Sequence, residues 1–180
     1  MKLPIRKILA TIIFSILLSA CGFHLRGDWN LAPPLRKMYL ETKDPYGQLA
    51  REFKIQLKAS NISFVEHKND AQTILLIEHD DIHQTLLGLN ATQQTRQYKL
   101  TLTIRFIVQD QHGITILPIQ TIEDSRVITI QSNQILGSSN EVNLFAQQMR
   151  RASASTILER LQSKDIAQLL DKHFKTTQNP

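Results

Sequence analysis

The clearest pattern in the chain runs from Tyr98 to Val108, where Tyr98, Leu100, Leu102, Ile104, Phe106 and Val108 alternate with Lys99, Thr101, Thr103 and Arg105. A period of two places every apolar side chain on one face, which only a strand with a single buried face satisfies. This strand is expected at the centre of a sheet. Asp110-Gln111-His112-Gly113 follows with turn residues. Ile114 to Ile130 then reads as the returning strand, broken or bulged near Pro118 because proline cannot donate to a ladder. Upstream, Ala71 to about Leu86 reads as a long strand with Ile74-Leu75-Leu76-Ile77 at its buried centre, joined to the next by the polar loop Gly88 to Gln94. Lys37 to Thr42 is the expected first strand and Ile62 to Glu66 a short second one, with Lys68-Asn69-Asp70 as a turn.

Helical spacing occurs in three places. Asp44-Pro45 offers an N-cap and a first-turn proline, and Tyr46, Leu49, Ala50, Phe53 and Leu57 share one face of a helix from Pro45 to about Ser60, stopped by Asn61. Ile55 lies opposite that face. Ser138 with Glu141 gives a capping-box start to a helix reaching about Gln162. Its apolar stripe changes side midway: Val142, Phe145, Met149 and Ala152 share one face, Ala154, Ile157, Leu158 and Leu161 nearly the opposite one. Such a helix either lies against two surfaces or offers its later turns to something outside the domain. Ile166, Leu169, Leu170 and Phe174 mark a short terminal helix from Ser163 to Phe174. The order implies an α+β fold, a two-layer sandwich in which a mixed, mostly antiparallel sheet of about four strands carries two main helices on one face. Residues 37–174 are read as a single domain and residues 175–180 as a flexible tail.

The first residues have a different character. Lys2, Arg6 and Lys7 precede an apolar run from Ile8 to Leu18, shorter than the roughly 20 residues that span a bilayer as a helix and typical of a secretory signal. Leu18-Ser19-Ala20-Cys21 resembles the lipobox of bacterial lipoproteins. The resemblance implies that residues 1–20 are a lipoprotein signal peptide, and that Cys21 becomes the lipid anchor, bearing S-diacylglycerol and an N-acyl group. Each buried methylene contributes about 0.8 kcal/mol, so two or three acyl chains hold almost permanently. Gly22 in place of Asp resembles the Gram-negative sorting pattern for the outer membrane. Residues 21–36 form a lipidated connector whose Phe23, Leu25 and Trp29 are too apolar for a free linker and are expected to dock, on the domain or on a partner.

Charge and composition narrow the partners. Removing residues 1–20 takes three cations and no acid from the +5 chain, leaving 18 Lys+Arg against 16 Asp+Glu, or +2, with no clustering that would suggest nucleic acid. Cys21 is the only cysteine, so no disulfide is available. No second apolar run is long enough to cross a membrane. His79, Asp81 and His83 would share one side of a strand, a possible 2-His-1-carboxylate set, although such residues are also ordinary on a solvated strand face. Serine nucleophile elbows and glycine-rich phosphate cradles are absent from the sequence, and the pairs Asp80-Asp81 and Glu123-Asp124 face apart on a strand. No catalytic residue, metal site or cofactor is assigned, and a binding and assembly role is expected rather than an enzyme.

Several runs taken together resemble a known family. The lipobox continuing into Cys21-Gly22-Phe23-His24-Leu25-Arg26-Gly27, Asp44-Pro45-Tyr46-Gly47, Tyr98 in the long alternating strand and Thr156-Ile157-Leu158-Glu159-Arg160-Leu161 look like the LPS-assembly lipoprotein LptE family. The resemblance implies a non-enzymatic, lipid-anchored protein on the periplasmic side of the outer membrane. It would plug the β-barrel of its partner LptD, assist lipopolysaccharide assembly in the outer leaflet and bind lipopolysaccharide directly. In the family that binding uses basic residues on loops at one end of the sheet, whereas the loops Gly88 to Gln94 and Gln131 to Asn140 here contain neither Lys nor Arg. The nearest cations, Arg96, Lys99, Arg105 and Arg126, are therefore the lipopolysaccharide-binding candidates, guanidinium groups being the better phosphate partners. The alternative function is a free-standing periplasmic lipid carrier, which would need an open apolar sheet face lined by Ile116, Ile119 and Ile128. A lipoprotein hydrolase built on His79, Asp81 and His83 is a third reading.

Overall fold

The computed structural model describes residues 29–89, 95–131 and 135–178. Its elements are β1 (Met38–Thr42), α1 (Gln48–Ala59), β2 (Thr73–Leu89), β3 (Thr95–Asp110), β4 (Thr115–Gln131), α2 (Ile135–Leu161) and α3 (Lys164–Gln178), with short 3-10 turns at Pro33–Arg36 and Lys68–Asp70. The strands form one sheet in the order β1-β2-β3-β4, with β1 parallel to β2 and the other pairs antiparallel. The parallel pair requires a crossover, and α1 supplies it. The sheet and helices form the expected α+β sandwich, with the two main helices joined by the expected terminal one.

The alternating residues of β3 behave as their period requires. Leu100, Leu102, Ile104, Phe106 and Val108 are buried, in one core with Leu49, Phe53 and Leu57 of α1 and Met149, Ile157, Leu158 and Leu161 of α2. The proline in β4 produces the expected irregularity. Phe106 pairs with Gln120 and Val108 with Leu117, so Pro118 and Ile119 are both accommodated opposite Ile107, on an edge strand where a missing donor is tolerated.

The two stripes of α2 are joined by Ser153, which is buried, while Ala152 is exposed. The helix lies against β3 and β4 and also against α1 and α3, so the changing side reflects two packing surfaces inside the domain.

Asn61 ends α1 as expected, with φ of 55°. The N–H of Ile62 donates to Leu57 O (3.0 Å) and that of Asn61 to Lys58 O (3.1 Å), and Leu57 and Ile62 are both buried. This is the Schellman arrangement, in which a left-handed residue lets the chain satisfy the last carbonyls.

The start of α1 departs from expectation. Asp44 to Gly47 form a turn closed by Gly47 N–H to Asp44 O (3.2 Å), with Pro45 in its second position, and Gly47 is the N-cap without a side-chain cap. Tyr46 falls outside the helix and is 85% exposed rather than in the core. Residues 62–66 are not a strand: Val65 N–H reaches Met38 O (2.8 Å), but no ladder continues from it. α2 begins before Ser138, which lies inside the helix instead of capping it, and α3 continues to Gln178 through most of the expected tail. The signal segment, Cys21, Phe23, Leu25 and most of the loop Gly88 to Gln94 lie outside the described residues.

Trp29, Leu31 and Leu35 of the connector are buried in the core, and Trp29 N–H donates to Ser60 Oγ at 2.6 Å. At the opposite end of the chain, α3 grips the β3–β4 hairpin. Asp110 Oδ1 accepts from the N–H groups of His112 and Ile114 (2.9 Å each), its Oδ2 lies 3.0 Å from His173 Nε2, and Gly113 turns the chain at φ of 82°.

Two predictions follow from these ends. Asn61→Val forces a β-branched residue into the left-handed region and should lower stability by about 1–2 kcal/mol in urea unfolding, whereas Asn61→Gly should preserve it. Burial of Asp110 opposes ionisation, but the N–H of Ile114, the ring of His173 and the N–H of His112 outweigh it and hold the carboxyl below its ordinary value of 3.8. A carboxyl depressed in the folded state contributes stability that is present above its unfolded value and is lost as pH falls through the folded one. The urea midpoint should therefore drop on acidification below about pH 4, and Asp110→Asn should flatten that slope.

Candidate functional site

Residues opposite one another in register share a face, so the ladder shows what each side of the sheet offers. Away from the helices, the rows are His79–Arg105–Thr121, Asp81–Thr103–Glu123, His83–Thr101–Ser125 and Thr85–Lys99–Val127. Val127 is the apolar exception in these four rows. Nearer β1 the same face carries Leu76 beside Ile107.

The register shift between Ile77 and His79 decides which residues of β2 join this face. One extra residue in β2 inverts the alternation, so Ile77 and then Asp80, Ile82 and Gln84 point toward the helices while His79, Asp81 and His83 point away. Asp80 does not go unpaired there: Arg150 Nε of α2 reaches its Oδ1 at 2.9 Å and its Oδ2 at 3.1 Å.

The four candidate cations do not converge. Lys99 and Arg105 share the open face but stand six residues apart on β3, about 20 Å along a strand. Arg126 lies on the helix side opposite Leu100, with its Nε 3.7 Å from Asp124 Oδ2. Arg96 sits near the far end of β3, opposite Leu89 and Ile130.

His79, Asp81 and His83 do share a face, but His79 and His83 are separated by four residues of extended chain, roughly 13 Å. Ligands must approach a divalent ion to about 2 Å, and no cluster of three metal-type ligands forms among the described residues. The open apolar face required of a lipid carrier does not form from its expected residues either. Ile116 and Ile128 are buried in the helix-side core, and only Ile119 is exposed, beside Pro118.

The surface has other concavities. A groove of about 480 Å³ lies between the end of β1, the start of α1 and β2, mixing Lys43 and Arg150 with Glu78, Asp80 and Asp81. Ile55, left unexplained by the helical face, opens onto a groove between α1 and α2 with Trp29, Ala59 and Ala152. A cleft of about 670 Å³ lies between β1, α1 and residues 62–66, lined by Tyr39, Tyr46, Lys54, Lys58, Ile62 and Phe64 among others. The exposed side of α1 carries Arg51, Lys54 and Lys58. Its only acid, Glu52, is buried, takes a hydrogen bond from Gln48 (2.8 Å) and lies 3.9 Å from Arg151. The spacing of Arg51, Lys54 and Lys58 is the one sequence signal for this cationic face. Tyr46 gives none, because its helical spacing suggests core.

Comparison with known proteins bears on both fold and role. The chain is 24% identical over 171 residues to the LPS-assembly lipoprotein LptE of Pectobacterium atrosepticum, covering 92% of this chain and 89% of that protein. It is 28% identical over 149 residues to the protein of the same name from Yersinia enterocolitica, covering 79% of this chain and 69% of that one. Among solved structures, rare lipoprotein B from Shewanella oneidensis superposes with a TM-score of 0.61 at 25% identity, covering 72% of this chain and 96% of that one. A minor lipoprotein from Acinetobacter baumannii shares the fold, with a TM-score of 0.56 at 21% identity over 71% of this chain and 90% of that one. The family model described as LptE, Lipopolysaccharide-assembly, matches residues 35–161, from the connector to the last turn of α2, and the chain belongs to that family.

Proposed function

We propose that the protein is an outer-membrane lipoprotein, held at the periplasmic side by lipid on Cys21, that plugs an LptD-type β-barrel and assists lipopolysaccharide assembly in the outer leaflet. Membership of the LptE family supports the role in lipopolysaccharide assembly. The observation that supports enclosure by a barrel is the open sheet face. Its side chains from His79 outward are polar in nearly every row across three long strands, and the interior of a large membrane barrel is itself polar. A surface of hydroxyls, imidazoles and charges of both signs can exchange its water for hydrogen bonds to such a wall.

Direct contact with lipopolysaccharide belongs to the same reading. Arg96, Lys99, Arg105 and Arg126 are too dispersed to form one phosphate site, so each would meet a separate phosphate. The work proposed is non-enzymatic: fitting a partner and receiving a glycolipid.

Purification from native membranes in mild detergent should yield a stoichiometric complex with a large outer-membrane barrel. Recovery of the lipoprotein alone would count decisively against the plug. Cys21→Ser, read by fractionation, should move the chain from the membrane to the soluble periplasmic fraction.

A further inference from the structure

The cationic side of α1 and the cleft beside it place positive charge next to an apolar wall. Lys54 and Lys58 lie one turn apart, both exposed, and neither ammonium group has a hydrogen-bond or ion-pair partner among the described residues. Like charges at this spacing repel unless an anion lies between them. The single acid lining the cleft, Glu66, comes from the opposite wall. Below the lysines, Ile62 and Phe64 form an apolar floor joined to the core, and Tyr46 stands over the opening 85% exposed.

We infer that this cleft receives the phosphorylated sugar end of a glycolipid, with its phosphate between the ammonium groups of Lys54 and Lys58. The sugar face would lie against the Tyr46 ring and the first methylenes against Ile62 and Phe64. Lysine binds phosphate as a point charge, and tyrosine serves where one side of a contact is apolar and the other wet. About 670 Å³ suits a headgroup and excludes a full set of acyl chains, so the chains would remain outside. The inference rests on the proposed contact with lipopolysaccharide and gives that contact a place apart from the strand cations.

The test uses the detergent-purified, lipidated protein with deep-rough lipopolysaccharide and with the same lipid after removal of its phosphates. Lys54→Glu/Lys58→Glu and, separately, Tyr46→Ala should each weaken binding roughly tenfold or more, Lys54→Arg/Lys58→Arg should restore it, and dephosphorylated lipid should lose affinity for the unaltered protein alone. The altered side chains are exposed, and thermal unfolding of each variant confirms that folding is kept. Unchanged affinity in Lys54→Glu/Lys58→Glu overturns the cleft while leaving lipopolysaccharide binding intact. So does loss of affinity confined to Lys99→Glu/Arg105→Glu. If inorganic phosphate alone binds as well as the lipid, the glycolipid assignment fails. If the barrel complex is lost while lipid affinity is unchanged, the cleft is a protein contact instead. No binding by the unaltered protein removes direct lipopolysaccharide contact itself, and the cleft with it.

Discussion

Leu100, Leu102, Ile104, Phe106 and Val108 must all be kept from water on one side of a strand that is polar on the other. That row is about 27 Å long at strand rise, and three helices meet over it. α1 is too short to cover it. α2, with 27 residues and a length of about 40 Å, runs past the row and onto its neighbours. A helix packed against a sheet and against two other helices cannot keep one narrow apolar stripe, so its buried side turns from Met149 to Leu161. The apparent conflict in its sequence is the geometry of a single core met from two directions.

The same one-sided burial governs what the sheet can present. β2 would offer the wrong residues to the helices beyond Ile77 if its alternation continued, and one extra residue at Glu78 corrects the phase. The correction places Ile82 over the core and sends both histidines outward. It also brings Asp80 inward, where Arg150 meets it with both carboxylate oxygens in reach. Asp80 stays accessible to solvent there, so its pair with Arg150 is a surface contact of modest energy. The bulge thus decides which residues of β2 stand on the polar face that supports the reading of a plug, while β3 and β4 reach that face by their own alternation.

Legibility in the sequence follows from how local each signal is. The period of two in β3, the proline in β4 and the left-handed stop at Asn61 are statements about a residue and its immediate neighbours, and the structure repeats them. Pro45 was ambiguous at that range, because proline suits the second position of a turn as well as the first turn of a helix. The turn took it, carrying Tyr46 out of the core. Residues 62–66 have the composition of a strand, but the chain only touches the edge of β1 and pairs once. The strand cations fail for a longer-range reason: which face Arg105 or Arg126 occupies depends on register and bulges that no local pattern records. The cationic side of α1 was available in the spacing of Arg51, Lys54 and Lys58, yet only the fold shows an apolar cleft beside it.

The connector links the proposed anchor to the proposed cleft. Trp29 is fixed by its N–H to Ser60 Oγ and by burial, at the C-terminal end of α1. With Cys21 in the membrane, seven residues of chain separate the lipid from that fixed point, eight Cα steps or at most about 28 Å when fully extended. The next residues after Ser60 are Asn61, whose left-handed turn redirects the chain, and Ile62, which lines the floor of the cleft. Lys58 lies about one turn before them on the same helix end. The leash and the cleft therefore converge on one end of α1, so a protein tethered through Cys21 carries Lys58 and Ile62 within a short chain's reach of the leaflet, where a glycolipid headgroup would be met.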